Sequence, residues 1–279
     1  MRDTRKARLA VPPGSIDTHT HVFVDGYPLS PERGYDPPES NLEHMLAMHA
    51  QLGIERVVLT QPSCYGTDNS AILDAVAAIP DRARAVVAVR GDVSDAELTE
   101  LHARGSRGVR LNLDNVGGMP VDLDEVPALA KRVSALGWHV EFLFAGPELP
   151  ELLPLLRTLD TPISIGHFAY MPAKEGVDYP PFRALLDLVE DGNTWVKLSA
   201  PNRLGVGDLP PWPDVVPLAH ALISARPDRM LWGTDWPHPN KFEVQPNDAD
   251  LLEQLRLWAP DEETRARILV DNPVALYDF

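Results

Sequence analysis

Cysteine is nearly absent from this 279-residue chain, which contains only Cys64. One cysteine cannot form an intramolecular disulfide, and it cannot supply the several thiolates of a cysteine-based zinc site. No histidine or basic residue in the sequence marks Cys64 as a nucleophile, so we expect a buried, unreactive thiol.

Positive charge is also scarce, because 25 lysines and arginines stand against 41 aspartates and glutamates, giving a formal net charge of −16. A protein that neutralises nucleic-acid phosphates needs a basic face, so we expect no nucleic-acid partner. No window approaches the roughly 18 apolar residues of a membrane span, so we expect no membrane partner. The short basic cluster at Arg2, Arg5, Lys6 and Arg8 lacks the apolar core of a signal peptide, and we expect a cytoplasmic location.

Short apolar runs and longer amphipathic stretches alternate along nearly the whole chain. The runs rich in β-branched residues are typical of strands and lie at 15–23, 55–60, 84–90, 108–113, 139–144, 162–168, 194–199 and 230–234. A helical stretch follows each run, including one that Asn41 caps and one that Ser94 and Glu97 open as a capping box. Eight strand–helix units predict a parallel sheet closed into a (β/α)8 TIM barrel.

The predicted organisation is a single α/β domain. Residues 1–14 would form an N-terminal lead, and residues 15–279 the barrel with an extra C-terminal helix, expected at 262–270. A doubly wound open sheet is the structural alternative, which the lack of a glycine-rich phosphate loop after an early strand weakens. The 28 prolines are about twice the usual share of roughly 5%, and many fall in loops at strand ends, including the long loop at 24–40.

Histidines are concentrated at the predicted carboxyl ends of the strands. His19 and His21 lie two apart on the first strand, so both side chains would point into the mouth of the barrel. His167 falls at the end of the sixth strand and Asp235 follows the eighth. Imidazole and carboxylate groups bind divalent cations, and barrel enzymes build their sites at this end. The alternatives are ordinary hydrogen-bonded histidines, one buried and one at the surface, and an Asp235 that caps a helix.

Five motifs spread over strands one to eight resemble the amidohydrolase superfamily, and within it the branch of metal-dependent TIM-barrel hydrolases that includes pyrone-dicarboxylate and sugar lactonases. The motifs are DTHTH at 17–21, QPSCYGTDN at 61–69, RGVRLN at 107–112, GHF at 166–168 and GTDWPHP at 233–239. The resemblance implies the same barrel fold, and hydrolysis of the ester in a lactone ring by His19, His21, His167 and Asp235.

The resemblance also implies a metal site made by these three histidines and Asp235, with Asp235 acting as general base on the attacking water. Three histidines and one aspartate suit Zn²⁺, with Mn²⁺ as the alternative. Other members of the branch work without a metal, in which case the histidines would stabilise the developing oxyanion through hydrogen bonds.

Strand five departs from the wider superfamily, which often places a histidine ligand there. Glu141 shares its face with His139 and lies nearer the mouth, so it is a candidate additional metal ligand or a group that supports the ligands from behind. An ion pair with an active-site arginine is the alternative. No lysine is evident on strand four for carboxylation, which argues against a binuclear site.

Two arginines are placed to hold an anionic substrate. Arg110 lies on strand four, and Arg203 follows strand seven in a segment similar to the family's carboxylate-binding one; a guanidinium binds a carboxylate with two parallel hydrogen bonds. The alternative for each is a solvated side chain. Arg107 precedes Arg110 by three residues and so points to the opposite face of the strand, which indicates a structural role. The dicarboxylate lactonase has a further arginine after the strand-four motif. Segment 113–118 has none, so the substrate would carry one anionic group fewer or a different one.

Polar side chains in the neighbouring loops are further candidates for substrate binding. Tyr35 resembles a substrate-contacting tyrosine of the family, Ser63 and Tyr65 follow strand two, and His238 lies three residues after Asp235. The alternative for the loop serines and tyrosines is turn formation or packing.

These observations predict a hydrolase that opens a small carboxylated lactone, of the dicarboxylate or muconolactone type, with water activated by Asp235. The alternative reaction is a metal-dependent, non-oxidative decarboxylation of an aromatic or muconate-type acid. A catalytically silent barrel that acts as a binding protein is the alternative of another class. The expected partner is the small anionic lactone, and a homo-oligomer is compatible with the sequence.

Overall fold

Eight short strands form the centre of the fold. The computed structural model describes residues 3–114, 117–119 and 121–279. Valine, isoleucine and threonine recur in the strands, and these β-branched residues favour extended backbone. The strands are β1 (Ile16–Thr20), β2 (Arg56–Thr60), β3 (Ala83–Val87), β4 (Ser106–Asn112), β5 (His139–Leu143), β6 (Ile163–Ile165), β7 (Thr194–Leu198) and β8 (Met230–Trp232).

The strands form one parallel sheet in sequence order from β1 to β8. β1 also lies against β8, where Thr20 forms a bridge with Trp236, and this contact closes the sheet. The predicted (β/α)8 barrel is confirmed, and the open doubly wound alternative is wrong.

Among the described residues, one α-helix lies between each pair of successive strands, as parallel pairing requires, and four more follow the last strand. They are α1 (Leu42–Leu52), α2 (Ser70–Ala78), α3 (Asp95–Ala103), α4 (Val126–Ser134), α5 (Leu149–Leu156), α6 (Pro180–Glu190), α7 (Val216–Ala225), α8 (Asp248–Glu253), α9 (Leu255–Trp258), α10 (Glu262–Ala266) and α11 (Asn272–Tyr277). Both predicted caps are confirmed: the Asn41 side chain accepts a hydrogen bond from the His44 backbone N–H, and Ser94 and Glu97 form a capping box. Among the described residues, no helix is long and apolar enough to cross a membrane.

Several predicted boundaries are wrong. The first strand, predicted at 15–23, ends at Thr20, and the third, predicted at 84–90, ends at Val87. The sixth strand, predicted at 162–168, ends at Ile165 because the following residues turn into left-handed backbone. The terminal helix, predicted at 262–270, continues from α10 through a π-helical turn (Arg267–Asp271) into α11. The π-helical turn and Pro273 at the start of α11 interrupt the regular helical period, which hid the last helix from the sequence pattern.

The C-terminal helix closes one end of the barrel. α11 is buried with residues from β1, β2 and β8, and the Tyr277 ring packs edge to face on His139 with 5.0 Å between the ring centres. His139 begins β5, so α11 covers the amino end of the strands. The carboxyl end is left for the candidate site, as in other barrels of this architecture.

Candidate active site

Four predicted residues meet at the carboxyl ends of the strands. Asp235 Oδ1 lies 3.8 Å from His19 Nε2, 3.6 Å from His21 Nε2 and 3.5 Å from His167 Nε2. All four side chains are buried. One carboxylate oxygen therefore faces three imidazole rings in a space that is shielded from bulk water.

The backbone around Asp235 fixes the position of its carboxylate. Asp235 has a left-handed backbone with φ 63°, and its N–H donates to His19 O at 2.9 Å. The next helix, α8, begins only after Asn247, whose side chain caps it. The alternative that Asp235 caps a helix is therefore wrong.

Asp17 ties the two ends of the closed sheet together, and the sequence analysis assigned it no role. Its carboxylate accepts hydrogen bonds from the Thr234 N–H at 3.0 Å and the Thr234 hydroxyl at 2.6 Å, and it contacts His49 Nε2 at 3.1 Å. The β1–β2 register shifts between Asp17 and Thr20. These contacts hold β1, which carries His19, against the segment that carries Asp235.

A left-handed turn places His167. The backbone of His167, Phe168, Ala169 and Tyr170 has φ values of 51°, 52°, 56° and 46°. Left-handed backbone costs a residue with a Cβ about 1–2 kcal/mol, and such strain is concentrated at functional sites. The turn stacks the Tyr170 ring on the His167 ring with 5.3 Å between their centres. Tyr170 lines a cavity at the carboxyl ends of the strands, together with His21, His167 and Asp235. No sequence pattern predicts a turn of this kind.

The second nitrogen of each ring has a partner that orients the imidazole. His21 Nδ1 lies 2.7 Å from Thr60 O, His167 Nδ1 lies 2.8 Å from Ser199 Oγ, and His19 Nδ1 lies 3.1 Å from Lys197 Nζ. Burial lowers the pKa of all three histidines, to about 3 for His167 even though the charge of Asp235 acts the other way. The rings are therefore neutral near pH 7, and each carries one hydrogen.

Asp235 is held in its charged form. Burial alone would raise the pKa of its carboxyl group, but the positive charge of Arg203, followed by the contacts with His167 and His21, lowers it below the usual range. Arg203 donates to Asp235 Oδ2 from Nε at 3.0 Å, with Nη2 2.9 Å from the same oxygen. Because Arg203 holds Oδ2, Oδ1 is directed towards the histidines.

A divalent cation fits this cluster by position. The ligand atoms of His19, His167 and Asp235 lie within 4.8 Å of one another, and all three residues are buried. Within the described part of the chain, His19 Nε2 is a buried polar atom without a hydrogen-bond partner. His21 contacts Asp235 Oδ1 at 3.6 Å, but it does not belong to the group of three possible ligands. Three ligands and an open position are typical of a catalytic zinc site.

Glu141 does not join the metal group. Its Oε2 lies 2.5 Å from Lys197 Nζ, and its Oε1 lies 3.7 Å from His19 Nδ1 and 3.9 Å from Arg110 Nε. The structure therefore leaves Glu141 outside the group of three possible ligands and places it behind His19, the position expected for a residue that supports a ligand. Its contact with Arg110 is the longest of the three. Lys197 was not predicted from the sequence, although it is a charged residue within the buried strand β7.

Both predicted substrate arginines line the cavity, and neither is a solvated surface side chain. Arg110 is buried and donates from Nη1 to Gln61 O at 2.6 Å. Arg203 is partly buried and donates from Nη2 to Pro239 O at 2.5 Å as well as to Asp235. Arg107 donates to Ser106 O and Asp278, in agreement with the expected structural role.

The predicted loop residues divide into two groups. Tyr35 and Ser63 line the cavity with the two arginines, His21, His167 and Asp235. Asn112 and Asp114 also line it, and neither was predicted from the sequence as a site residue. Asp114 belongs to segment 113–118, of which Asn115 and Val116 lie outside the described residues. The cavity therefore has an acidic side chain two residues after the end of β4.

Tyr65 and His238 lie apart from the cavity lining. The Tyr65 hydroxyl accepts from the Val24 N–H at 2.9 Å and contacts Val24 O at 3.3 Å, so it anchors the long first loop. His238 Nε2 lies 3.0 Å from Asp248 Oδ1 and connects the last site loop to α8. The structure gives both residues structural contacts in place of the predicted substrate contacts. Cys64 is buried as predicted, and burial raises the pKa of its thiol to about 12.

Comparison with known proteins places this geometry in a family. The amidohydrolase family model matches residues 16–279. The chain belongs to the amidohydrolase family. The match begins at the first residue of β1 and includes all five motifs and every residue of the His–Asp cluster.

Relatives of this amidohydrolase match over nearly their full length. A 4-sulfomuconolactone hydrolase of Hydrogenophaga intermedia is 41% identical over 275 residues, which cover 97% of this chain and 90% of that protein. A 2-pyrone-4,6-dicarboxylate hydrolase of Comamonas testosteroni is 38% identical over 282 residues, covering 98% and 92%. The crystal structure of an Agrobacterium tumefaciens protein in its apo form has a TM-score of 0.88 and 33% identity, covering 97% of each chain.

Proposed function

We propose that this amidohydrolase hydrolyses the ring ester of a small lactone that carries at least one carboxylate. The observation that carries the proposal is the Asp235 carboxylate, which faces three imidazole rings and borders a cavity lined by Arg110 and Arg203. Two relatives above 35% identity are named as hydrolases of anionic lactones, which supports the same reaction class.

The two arginines would bind and orient the substrate. A substrate carboxylate that approaches Arg110 and Arg203 would accept charge-assisted hydrogen bonds from both guanidinium groups. Arg203 already contacts Asp235, so an anion held by Arg203 is close to the base. This places the ester carbonyl of the ring next to the water that Asp235 activates.

Asp235 would act as the general base. Its carboxylate is ionised near neutral pH, and Oδ1 is the oxygen that faces the cluster. As the water oxygen bonds to the carbonyl carbon, its proton moves to Asp235. When the tetrahedral intermediate collapses, the bond between the carbonyl carbon and the ring oxygen breaks, and the proton passes to that oxygen. The products are a hydroxyl or enol group and a carboxylic acid, which releases the second proton of the water to solvent and becomes a carboxylate.

For a metal, we propose Zn²⁺, with Mn²⁺ as the alternative, held by His19, His167 and Asp235. Such an ion would polarise the ester carbonyl and lower the pKa of a bound water. The roles of the arginines and of Asp235 as base do not depend on the ion. Activity before and after treatment with a chelator, together with the metal content of each sample, tests this part of the proposal.

A panel of lactones tests the reaction class. Purified protein is offered carboxylated and neutral lactones, and base uptake at constant pH records ring opening. We expect turnover of carboxylated lactones. Neutral sugar lactones should be hydrolysed more slowly, because they have no carboxylate to bind the arginines. Release of CO₂ without ring opening would replace the proposal with the decarboxylase alternative. Absence of both reactions, and of any bound metal, would favour a binding protein.

The proposed partner is the small anionic lactone, and the proposed location is the cytoplasm. The single cysteine supports the location, because proteins of oxidising compartments commonly contain disulfides. The barrel as a single domain over residues 15–279, preceded by the short lead at 1–14, also remains a proposal. Light scattering on the purified chain tests whether it forms a homo-oligomer.

A further inference from the structure

The His–Asp cluster borders a small cavity. Its volume is about 50 Å³, which is room for roughly three to five water molecules. A five-membered lactone ring with one carboxylate has about nine non-hydrogen atoms and needs about twice that space. This cavity, which we call the inner cavity, therefore holds the reacting ester and its immediate neighbours, and the remainder of the lactone lies outside it.

A second, larger cavity adjoins the inner cavity. This outer cavity has a volume of about 520 Å³, and Asp114, Tyr170 and Arg203 line both cavities. Asn202 also lines the outer cavity, and it lies with Arg203 in one short 3-10 turn after β7. A lactone whose carboxylate contacts Arg203 therefore has room for a ring substituent on the outer side of that arginine.

The charged residues of the outer cavity differ in their partners. Arg203 contacts Asp235, and Lys241 Nζ lies 2.9 Å from Asp208 Oδ1. Asp114 is exposed, and among the residues that the structure describes it has neither an ion pair nor a hydrogen-bond partner. A second carboxylate on the substrate would be repelled by this negative charge, whereas a hydrogen-bond donor would find a free acceptor.

Asn202 adds a second polar group without a partner to the same cavity. The residue is 4% exposed, and within the described part of the chain neither its amide oxygen nor its amide nitrogen has a hydrogen-bond partner. A buried amide in this state is costly, so a ligand that supplies partners is favoured. A hydroxyl group both donates and accepts, and so can satisfy a carboxylate and an amide, whereas an ammonium group can only donate.

We propose that the outer cavity binds a hydroxyl-bearing substituent of the lactone, and that Asp114 selects this substituent over a second carboxylate. The proposal rests on the proposed function, because it takes the inner cavity as the place of the reacting ester. It narrows the substrate class to hydroxylated lactones with a single carboxylate. Asp114 is then a specificity-determining residue, which binds the substrate at a distance from the bond that breaks.

A matched pair of substrates tests the selection. Two carboxylated lactones with the same ring are compared, one with a hydroxyl group on the substituent remote from the ester and one without it. We expect the wild type to favour the hydroxylated lactone in kcat/KM by about 10-fold, the lower end of the effect of a hydrogen bond to a charged group, because Asp114 is exposed. Asp114→Ala should abolish this preference.

Charge variants separate this selection from a general effect of the substitution. Asp124→Ala is the matched control, because Asp124 is an exposed aspartate of the same connection between β4 and α4 and lines neither cavity. It should keep the wild-type preference. Asp114→Asn should raise kcat/KM a few-fold for a lactone with a second carboxylate in place of the hydroxyl group, because the repulsion is removed. A wild-type preference for an ammonium group over the hydroxyl group would overturn the assigned substituent.

A binding measurement distinguishes failure of this proposal from failure of the proposed function. Carboxylated cyclopentanones with and without the same hydroxyl group, which have no ester to hydrolyse, are titrated into the wild type and Asp114→Ala in a calorimeter. We expect the wild type to bind the hydroxylated ketone about 10-fold more tightly, and Asp114→Ala to bind both equally. This result in a protein that hydrolyses no lactone would reject the proposed function and keep the outer cavity as a hydroxyl-binding site. Equal binding by the wild type, or an unchanged ratio in Asp114→Ala, overturns the proposal even if lactones are hydrolysed.

Discussion

Arg203→Gln removes the cation that lies against the proposed base. In the wild type, Arg203 Nε and Nη2 lie 3.0 Å and 2.9 Å from Asp235 Oδ2, and the carboxylate is buried. Glutamine is shorter and neutral, so both contacts and the positive charge are lost. Arg203→Lys is the matched control, because it keeps the positive charge but cannot present two N–H donors in the fixed geometry of a guanidinium group.

The expected loss follows from these contacts. A hydrogen bond to a charged group contributes about 1.5–3 kcal/mol, and Arg203 is partly exposed, so we take one such contribution for the pair. At about 1.4 kcal/mol per factor of ten, kcat/KM should fall about 10- to 100-fold for a carboxylated lactone. Arg203→Lys should lose less, because a charge remains near Asp235.

The pH profile of Arg203→Gln has a definite direction. Arg203 lowers the pKa of Asp235, so its removal raises that pKa. The reaction needs the charged carboxylate, and the acid side of the kcat/KM profile should therefore move to higher pH. Initial rates of ring opening measure the shift, from the lowest pH at which both proteins stay folded up to pH 9, because the wild-type limb lies below the usual carboxyl range. An unchanged acid side, or equal profiles for the glutamine and lysine variants, would refute the role given to this ion pair.

Three further substitutions test separate parts of the site. Asp235→Asn should reduce kcat by orders of magnitude while circular dichroism and melting temperature stay near wild type; retained turnover would exclude Asp235 as the base. Arg110→Met should raise KM for carboxylated lactones about 10- to 100-fold through loss of a charged hydrogen-bond donor, and leave neutral lactones nearly unaffected; equal effects on both classes would contradict a carboxylate clamp. Tyr65→Phe should lower the free energy of unfolding by about 1 kcal/mol, because it removes the hydrogen bond with Val24. It should leave kcat unchanged, and a large loss of kcat would indicate that Tyr65 contacts the substrate.

The sequence predicted the fold because the signal repeats. Eight apolar runs separated by amphipathic stretches allow few arrangements other than a parallel barrel, and the caps at Asn41 and Ser94 are local features that need no tertiary information. The predicted positions of His19, His167 and Asp235 at strand ends also followed from this order. Once the strands are parallel and in sequence, their carboxyl ends must meet.

Several features of the site could not be predicted from the sequence, because they depend on backbone geometry and on contacts between residues far apart in the chain. Ser63 and Tyr65 lie in one short 3-10 turn, yet Ser63 lines the cavity and Tyr65 anchors Val24. The backbone of this turn determines which of the two side chains points into the cavity. The left-handed backbone that begins at His167 has no glycine to mark it. The partner of Glu141 is Lys197, 56 positions later, and their contact appears only when β5 and β7 meet inside the barrel.

The destination of the water oxygen tests the central claim most directly. A carboxylated lactone is turned over in ¹⁸O-labelled water by the wild type, with Asp235→Asn as the control, and the product is analysed by mass spectrometry. Attack on the ester carbonyl by Asp235-activated water predicts one labelled oxygen in the newly formed carboxylate, no label in the new hydroxyl group and no released CO₂. Label in the hydroxyl group, a product without label, or equal labelling rates in Asp235→Asn would contradict the account.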